Sequence, residues 1–169
     1  MTATEIVARL TERFGAKILE SKLDVINPWA AVEPSAILEI ARFLREDEAL
    51  CMDHLELLGG VDYKDRIEVV YVLYSMEHRH RITLKCRLPR ENPQLHTVES
   101  VWRAANWHER ETYDMFGVVF EGHSDPRRIL CPDDWEGFPL RKDYVFPREY
   151  HGIPASVELD WQQKPDYPK

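Results

Sequence analysis

The stretch that decides the fold of this chain is "RIEVVYVLYSMEHRHRITLKCRL", residues 66–88. Its first half, residues 66–76, is rich in β-branched and aromatic side chains, which favour a strand. Its second half alternates apolar and polar side chains, as a strand with one buried face does. One face would carry Ile82, Leu84, Cys86 and Leu88, and the other would carry Arg81, Thr83, Lys85 and Arg87. The pattern predicts an antiparallel hairpin that turns through residues 77–80 and presents its basic face to solvent.

Two amphipathic helices are predicted before this hairpin. The apolar residues at helical spacing are Ile6, Leu10 and Phe14 in the first, and Ile37, Ile40, Ala41 and Leu44 in the second. The first helix should span residues 4–14 and end at Gly15, because glycine readily adopts the positive φ of a helix C-terminus. The second should begin near Pro34, which is tolerated in a first helical turn, and end near Arg45.

Two other segments before the hairpin have weaker patterns. Residues 16–26 look extended but show little alternation. Residues 51–58, "CMDHLELL", alternate imperfectly and run into Gly59-Gly60, which we interpret as a turn or loop.

Two short helices are predicted after the hairpin. The first follows Pro93, with Thr97 in N-cap range. Its apolar residues are Leu95, Val98, Val101, Trp102 and Ala105. The second covers "WHERETYDMFG", residues 107–117, where Asn106 and Glu109 would form a capping box at its start and Gly117 would end it.

The character of the sequence changes after Phe120. Residues 121–169 hold seven of the chain's eleven prolines and show little regular periodicity. Because a long irregular segment usually has a function, we interpret residues 121–169 as an extended arm whose aromatic side chains bind a partner. The predicted fold class is therefore α+β: a small α/β domain over residues 1–120, with an antiparallel sheet flanked by helices, followed by the arm.

Composition argues against several classes of function. The 169 residues carry 22 basic and 30 acidic side chains, a formal net charge of −8, without a basic cluster, so nucleic acid is not an expected partner. The cysteines, Cys51, Cys86 and Cys131, are too dispersed for a disulfide framework or a four-thiolate metal site. The N-terminus lacks a signal-peptide pattern, and no apolar run approaches the length of a membrane span. We expect no cofactor or metal in this chain, and contact with a membrane only through a partner.

The density of acids and bases in residues 107–117 raises the question of an active site. In a helix, Arg110 and Asp114 could form an ion pair, and Glu111 with Asp114 could hold a metal ion or share a proton. A free-standing metal-dependent hydrolase would use Glu111, Asp114 and His108, or His123 with Asp133.

A structural interpretation accounts for more of the same residues. Glu109 and Glu111 would complement the helix dipole, and Asp114 would neutralise Arg110. Trp107, Met115 and Phe116 would pack.

Three blocks of sequence carry a resemblance to a known family. They are "WHERETYDMFG" at 107–117, "GHSDPRRIL" at 122–130 and "DWEGFPLRKDY" at 134–144. In this order and at these distances they strongly resemble the signature region of the 30 kDa subunit of respiratory complex I, which in bacteria is the NADH-quinone oxidoreductase. Three positions depart from the family pattern, Ser124 for proline, Pro126 for leucine and Phe138 for histidine, and these changes bear on the local loop geometry.

The resemblance implies a non-catalytic subunit of the peripheral arm of the complex, which transfers electrons from NADH to quinone and translocates protons. Proteins of this family bind no cofactor themselves; FMN, the iron–sulfur clusters and quinone belong to partner subunits. They pack on the 49 kDa subunit, which forms the quinone pocket with an iron–sulfur subunit. The expected location is the cytoplasmic side of the bacterial inner membrane. The equivalent subunit of a related membrane-bound hydrogenase or other-donor dehydrogenase stays open as an alternative.

The resemblance also implies which residues contact partner subunits. They are Glu109, Arg110, Glu111, Tyr113, Asp114, Phe116, Arg127, Arg128, Trp135, Leu140, Arg141, Lys142, Asp143 and Tyr144.

Overall fold

A computed structural model describes residues 1–147 and 149–154, and within these ranges the chain forms three helices and nine strands. The helices are α1 (Ala3–Phe14), α2 (Ile37–Glu46) and α3 (Ala105–Phe116). The strands are β1 (Ile18–Lys22), β2 (Trp29–Val32), β3 (His54–Asp62), β4 (Arg66–Ser75), β5 (His80–Pro89), β6 (Gln94–His96), β7 (Val119–Glu121), β8 (Glu149–Tyr150) and β9 (Ile153–Pro154). Short 3₁₀ turns, Gly15–Lys17 and Pro34–Ala36, follow α1 and precede α2.

The predicted hairpin is the centre of a five-stranded sheet with the strand order β1-β2-β5-β4-β3. β4 and β5 pair antiparallel along their whole length, with Val69 opposite Cys86 and Tyr71 opposite Leu84. β2 pairs with β5 in parallel, so the sheet is mixed where a purely antiparallel one was expected. The predicted α+β class, with a sheet flanked by helices, is confirmed.

One face of the sheet forms the core with the helices. The buried side chains of the hairpin are Ile67, Val69, Tyr71 and Leu73 on β4 and Ile82, Leu84, Cys86 and Leu88 on β5. The apolar stripes of α1 and α2 belong to the same cluster, and the predicted positions of both helices are confirmed. Thr2 and Glu5 form a capping box that fixes the start of α1.

The opposite face of the hairpin is less solvated than its basic residues suggested. Glu68 on β4 is buried, and the Lys85 ammonium lies 3.0 Å from its carboxylate. The same ammonium lies 4.6 Å from the centroid of the Trp29 ring, and Arg87 pairs with Glu20 at 2.7 Å. The basic side chains therefore cover this face through ion pairs and ring stacking as well as facing water.

The prediction that Gly59-Gly60 forms a loop is wrong, because both glycines lie inside β3. A Cβ atom added at Gly60 would come within 2.6 Å of the Phe116 ring. The missing side chain thus lets α3 pack closely on β3.

The helix predicted after Pro93 is also wrong. Residues 94–96 form β6, which pairs in parallel with β7, and residues 97–104 are turns and irregular backbone. Leu95, Val98 and Trp102 are nevertheless buried, and the Trp102 indole donates to the Met52 carbonyl at 2.8 Å. These residues are three or four positions apart because the irregular backbone turns each of them toward the core, and this spacing is the same as that of a helix.

The division into a body over residues 1–120 and an arm over residues 121–169 stays a prediction. Residues 122–147 and 149–154 have little regular structure beyond the short β8–β9 pair. Residues 148 and 155–169 of the predicted arm lie outside the described residues. None of the helices described combines the length and apolar composition required to cross a membrane.

Candidate functional site

The three sequence blocks meet around α3, which begins two residues before the first block. Its N-cap residue is Ala104, which makes no side-chain cap hydrogen bond, so the predicted capping box at Asn106 is wrong. Glu109 is turned instead into the interior, where it serves a different backbone segment. The predicted end is confirmed, since Gly117 has a left-handed conformation with φ of 75° and its N–H donates to the Tyr113 carbonyl.

Glu109 is fully buried and organises the chain that leads into α3. Its carboxylate accepts hydrogen bonds from the Thr97 hydroxyl and, at 2.8 Å, from the Val98 N–H. Burial raises the pKa of Glu109 to about 7, against the opposing effect of these two donors, and the nearby Glu99 carboxylate adds to the rise. The group therefore changes charge near neutral pH inside the fold.

His123 lies beside this carboxylate and connects it to the next block. Its Nε2 donates to the Asn106 carbonyl at 3.1 Å, and its Nδ1 accepts the Asp125 N–H at 2.9 Å. These two contacts require the neutral imidazole. Nε2 is also 3.9 Å from Glu109 and 3.7 Å from Glu99, so the turn after β7 is held against the start of α3.

Asp114 holds the second block through its backbone. Its carboxylate accepts the N–H groups of Ile129, Leu130 and Cys131 at 3.0, 2.7 and 2.8 Å, and the Arg128 guanidinium at 2.6 Å. Burial raises the pKa of Asp114, but these donors outweigh it and hold the pKa below its ordinary value. The predicted Arg110–Asp114 pair is wrong, because Arg128 and three N–H groups satisfy this carboxylate together.

Arg110 also binds the second block, through its backbone carbonyl groups. Its guanidinium donates to the carbonyls of Arg127 and Arg128 at 3.0 and 3.2 Å, and lies 3.7 Å from Asp125. Arg128 in turn donates to the carbonyls of Trp135 and Gly137 at 2.9 and 3.0 Å. Two arginines therefore satisfy the carbonyl groups of an irregular segment that has no ladder of its own.

The third block is seated on the end of α3. A Cβ atom on Gly117 would come within 2.4 Å of the Phe138 ring, so the ring occupies the space that any other residue would fill. Arg141 and Arg128 approach the same ring at 4.8 and 5.5 Å. Arg141 also donates to the Phe116 carbonyl at 2.7 Å, which satisfies a free carbonyl of the last helical turn.

A second anchor lies at the end of β3, and sequence reasoning missed it. The buried Asp62 carboxylate accepts Arg90 Nη2 at 2.9 Å and the Lys142 N–H at 2.9 Å. Arg90 also donates to Asp143 at 2.9 Å. The Arg90 guanidinium holds the pKa of Asp62 well below its ordinary value against burial, and the N–H groups of Lys142 and Lys64 act in the same direction as Arg90. No local spacing signals this anchor, because its members come from three distant parts of the sequence.

The structure divides the predicted interface residues by exposure. Glu109 and Asp114 are buried within the chain, where their oxygens accept hydrogen bonds, and their predicted contact with a partner stays a prediction. The partly buried members are Arg110, Tyr113, Phe116, Arg128, Trp135, Arg141 and Tyr144. The exposed members are Glu111, Arg127, Leu140, Lys142 and Asp143. Contact of these two groups with other subunits stays a prediction.

The residues of the hydrolase alternative are not assembled into a centre. Asp114 is buried and engaged with backbone N–H groups, whereas Glu111 is exposed, and the two ring nitrogens of His123 are occupied. In the part of the chain that the structure describes, no three His, Cys, Asp or Glu side chains are grouped to hold a metal ion. What the arrangement does is fasten residues 122–144 to α3 and β3.

Comparison with known proteins places this arrangement in a family. Residues 30–150 match the family described as "Respiratory-chain NADH dehydrogenase, 30 Kd subunit". An NADH-quinone oxidoreductase subunit of Chloroherpeton thalassium is 48% identical over 85% of this chain and 61% of its own length. The protein of the same name in Roseiflexus castenholzii is 53% identical over 79% of each chain.

Two solved structures share the fold. One is a trypsin-resistant fragment of Nqo5, with a TM-score of 0.59 and 29% identity over 73% of this chain and 99% of the fragment. The other is a chain of the membrane-bound sulfane sulfur reductase, an archaeal respiratory membrane complex. It has a TM-score of 0.69 and 26% identity over 98% of this chain and 95% of its own.

Proposed function

This chain belongs to the family of the 30 kDa subunit of respiratory-chain NADH dehydrogenase, and we propose that it acts as an assembly subunit of an NADH-quinone oxidoreductase. The match spans 61% of the Chloroherpeton relative, so the activity of the whole complex is transferred here as a proposal. Oxidation of NADH and reduction of quinone take place on other subunits, and this chain supports them by its place in the complex.

The proposal depends mainly on one observation, which is that the signature residues on α3 bind the backbone of this chain itself. Glu109, Arg110 and Asp114 direct their polar atoms at the chain's own backbone, at positions 98, 127–128 and 129–131. Groups committed in this way hold a surface in shape and are not free to bind a substrate. The segment that they hold carries several exposed apolar side chains, which a partner subunit would cover. They are Leu130, Leu140, Val145, Phe146 and Ile153, exposed by 55–84%.

The proposed partners are the 49 kDa subunit and the iron–sulfur subunit that form the quinone site together. Membership of a complex I-type assembly supports partner subunits in general, and the exposed apolar side chains support contact through residues 122–154. In this proposal the chain binds no cofactor, and FMN, the iron–sulfur clusters and quinone are held by the partners. The chain then lies on the cytoplasmic side of the inner membrane and reaches the membrane only through the complex.

Purification of the tagged chain from native membranes tests the proposal. We expect the other subunits and NADH:quinone reductase activity to co-purify with it, and Phe146→Asp to reduce both. Ile26→Asp is the matched control, because Ile26 is 99% exposed but lies in the body, between β1 and β2. Normal co-purification of the Phe146→Asp chain would argue against a partner surface in the arm.

The electron donor can be tested in the same preparation. The relatives at 48 and 53% identity carry NADH-quinone oxidoreductase in their names, whereas the sulfane sulfur reductase chain is 26% identical, so NADH is the favoured donor. We expect the purified complex to reduce quinone with NADH and not with hydrogen. Activity with hydrogen and none with NADH would support the equivalent subunit of a hydrogenase-type complex.

A further inference from the structure

β3 is the last strand of the main sheet, and among the described residues one of its edges is unpaired. It pairs with β4 on one side, and no strand of the described part of the chain adjoins it on the other. Throughout the described ranges, 1–147 and 149–154, no hydrogen bond joins the backbone of residues 54–61 to any group outside β4. Every second N–H and C=O along this edge therefore points away from the sheet, as in a strand that can accept another.

A groove runs beside this edge, because α3 lies over β3 on the core side of the sheet. Its volume is about 350 Å³, and its apolar lining includes Leu57, Met115, Phe116 and Leu140. Leu57 and Leu140 are 46% and 55% exposed, so apolar surface continues from the floor of the groove to its rim. A segment placed along β3 would gain backbone hydrogen bonds and would bury these side chains at the same time.

Beyond the irregularity in pairing between Leu55 and Leu57, residues 57–61 of the β3 edge lack the bulges, prolines and basic side chains that protect edge strands from pairing. β3 is nine residues long and contains no lysine, arginine or proline. At the opposite edge, β1 is five residues long and ends in Lys22. Protection by short length and by lysine is the usual device of an edge that must stay single. Its absence at β3 points to a strand that is covered in the assembled state.

The charges around the groove indicate what covers it. The ionisable residues that line it are Glu56, Glu111 and His108, without lysine or arginine. An approaching segment with lysine or arginine among its apolar residues would be attracted, whereas an acidic one would be repelled. A second copy of this chain, with a formal net charge of −8 and the same acidic rim, is a poor match for itself.

We infer that an extended, basic and apolar segment of another polypeptide of the complex adds to β3 as a sixth strand. This inference rests on the proposed function, since it takes the partner from the same assembly. It adds a specific mode of contact, in which backbone hydrogen bonds along residues 54–62 supply affinity and the groove selects the side chains.

Hydrogen exchange on the purified complex and on the isolated full-length chain tests the inference. We expect edge amides of residues 54–62 to exchange about tenfold more slowly, or slower still, in the complex, because an added strand protects them. The amides of β4, residues 66–75, are the internal reference. Equal exchange of the edge amides in both states, within a complex that contains the chain, would overturn the inference and leave the proposed function standing. Absence of the chain from the complex would instead refute the proposed function.

Matched variants test the same edge independently of exchange. Leu57→Lys and Leu19→Lys place the same charge on β3 and on β1, at residues that are 46% and 55% exposed. We expect only Leu57→Lys to lower the fraction of chain recovered in the complex, by about tenfold. Glu111→Lys should act in the same direction, whereas Glu46→Lys, at the exposed end of α2, should not. Equal recovery of Leu57→Lys and Leu19→Lys would contradict the inference.

A photo-crosslinking residue in place of Leu57 identifies the neighbour in the purified complex. We expect a crosslink to a segment of a different subunit that contains lysine or arginine. A crosslink to a second copy of this chain, or protection of the edge amides in the isolated chain that grows with its concentration, would overturn the inference in favour of self-pairing.

Discussion

Asp114 accepts four hydrogen bonds on its carboxylate although its side chain has no exposed surface. A carboxylate in this setting is stable only while its partners stay in place, because a buried charge without donors is costly. Both Arg128 and the N–H groups of residues 129–131 come from the segment after β7. One carboxylate therefore makes the order of that segment a condition for the stability of α3.

Asp114→Asn should destabilise the fold strongly, since the amide places an N–H₂ group among N–H donors and removes the charge that pairs with Arg128. We expect a loss of about 3 kcal/mol or more in the free energy of unfolding, measured by urea denaturation. The control is Glu111→Gln on the exposed side of α3, which should change stability by less than about 0.5 kcal/mol.

The pKa of Asp114 is lower in the folded than in the unfolded state. Its stabilisation is therefore present above the ordinary pKa and lost as the pH falls through the folded value, and the variant should lack this part of the acid limb.

Glu109→Gln should change the pH dependence of stability with the opposite sign. The pKa of Glu109 rises from 4.5 to about 7 on folding, so between these values the folded state binds more protons than the unfolded state. Stability from this group is complete below pH 4.5 and falls by roughly 3 kcal/mol as the pH rises through 7. The facing groups are Thr97, Val98 N–H, His123 and Glu99.

Urea unfolding at about pH 5 and about pH 8 measures this difference. The Glu109→Gln chain should lose less stability between the two than the wild type does. Glu12→Gln, on the exposed face of α1, should keep the wild-type dependence. Equal slopes for the wild type and Glu109→Gln would show that Glu109 does not titrate in this window.

At the scale of elements, the same contacts make α3 and the three sequence blocks one unit. The helix ends at Gly117, and the Phe138 ring occupies the space above that glycine. The Phe138 ring is also approached by the guanidinium groups of Arg141 and Arg128, so an apolar ring between two arginines packs on the end of the helix. Position 117 therefore requires glycine for two separate reasons: the backbone has a positive φ, and the Phe138 ring fills the space that a Cβ atom would need.

Gly117→Ala should cost more than its backbone conformation alone explains. Gly122 also has positive φ, 81°, but its added Cβ would meet only Thr97 Cγ2 at 3.6 Å. We expect Gly122→Ala to cost about 1–2 kcal/mol and Gly117→Ala clearly more, by thermal or urea unfolding. In a Phe138→Ala background the excess at Gly117 should disappear, as a double-mutant cycle would show. An unchanged excess would mean that the ring does not determine the cost.

The elements that could be predicted from the sequence are those in which one face packs against the core and the apolar residues recur at the regular spacing of that face. The alternation of residues 82–88 records one buried and one covered face, and the stripes of α1 and α2 record one core. The pattern of residues 95–105 misled because burial on an irregular path gives the same spacing as a helix. Gly59-Gly60 misled because its cause, the Phe116 ring, lies far along the chain.

The sequence predicted which residues form the candidate site, but not which of them hydrogen-bond to one another. The sequence blocks contain Glu109, Arg110, Asp114 and Arg128, yet the spacing rule for helices paired Arg110 with Asp114. Arg128 prevails because it brings three backbone N–H groups with it, and such a combination has no signature in sequence spacing. The Asp62–Arg90 anchor is unpredictable for the same reason.

At the scale of the whole molecule, two buried carboxylates far apart on the body, Asp114 on α3 and Asp62 at the end of β3, are among the groups that attach the segment after β7. The first point holds residues 128–131 and the second holds residues 142–143. Between and beyond these points, apolar side chains remain exposed. The two anchors thus help to fix the backbone of the segment, while its exposed apolar side chains stay available to a partner.

Truncation after Phe120 should therefore destabilise the body, because it removes every partner of the Asp114 carboxylate described above. We expect a loss of free energy of unfolding at least as large as that of Asp114→Asn. In an Asp114→Asn background the same truncation should cost less, since the unpaired charge is already absent. A truncated chain as stable as the full one would show that the two anchors contribute nothing to the fold of the body.

The parallel pairing of β2 with β5 also constrains how the chain folds as the ribosome produces it. β2 ends at Val32 and β5 begins at His80, so α1, β2 and α2 leave the ribosome before the strand that completes their sheet. Pairings distant in sequence form late, and apolar surface exposed meanwhile attracts chaperones and proteases. Stalling the nascent chain just before and just after β5 has emerged would locate the step, and we expect a folding force only for the longer chain. The segment from α1 to α2 therefore cannot complete its packing during synthesis until the β4–β5 hairpin has formed. Substitutions that slow formation of the hairpin should lower the yield in the cell even where they leave the stability of the finished fold unchanged.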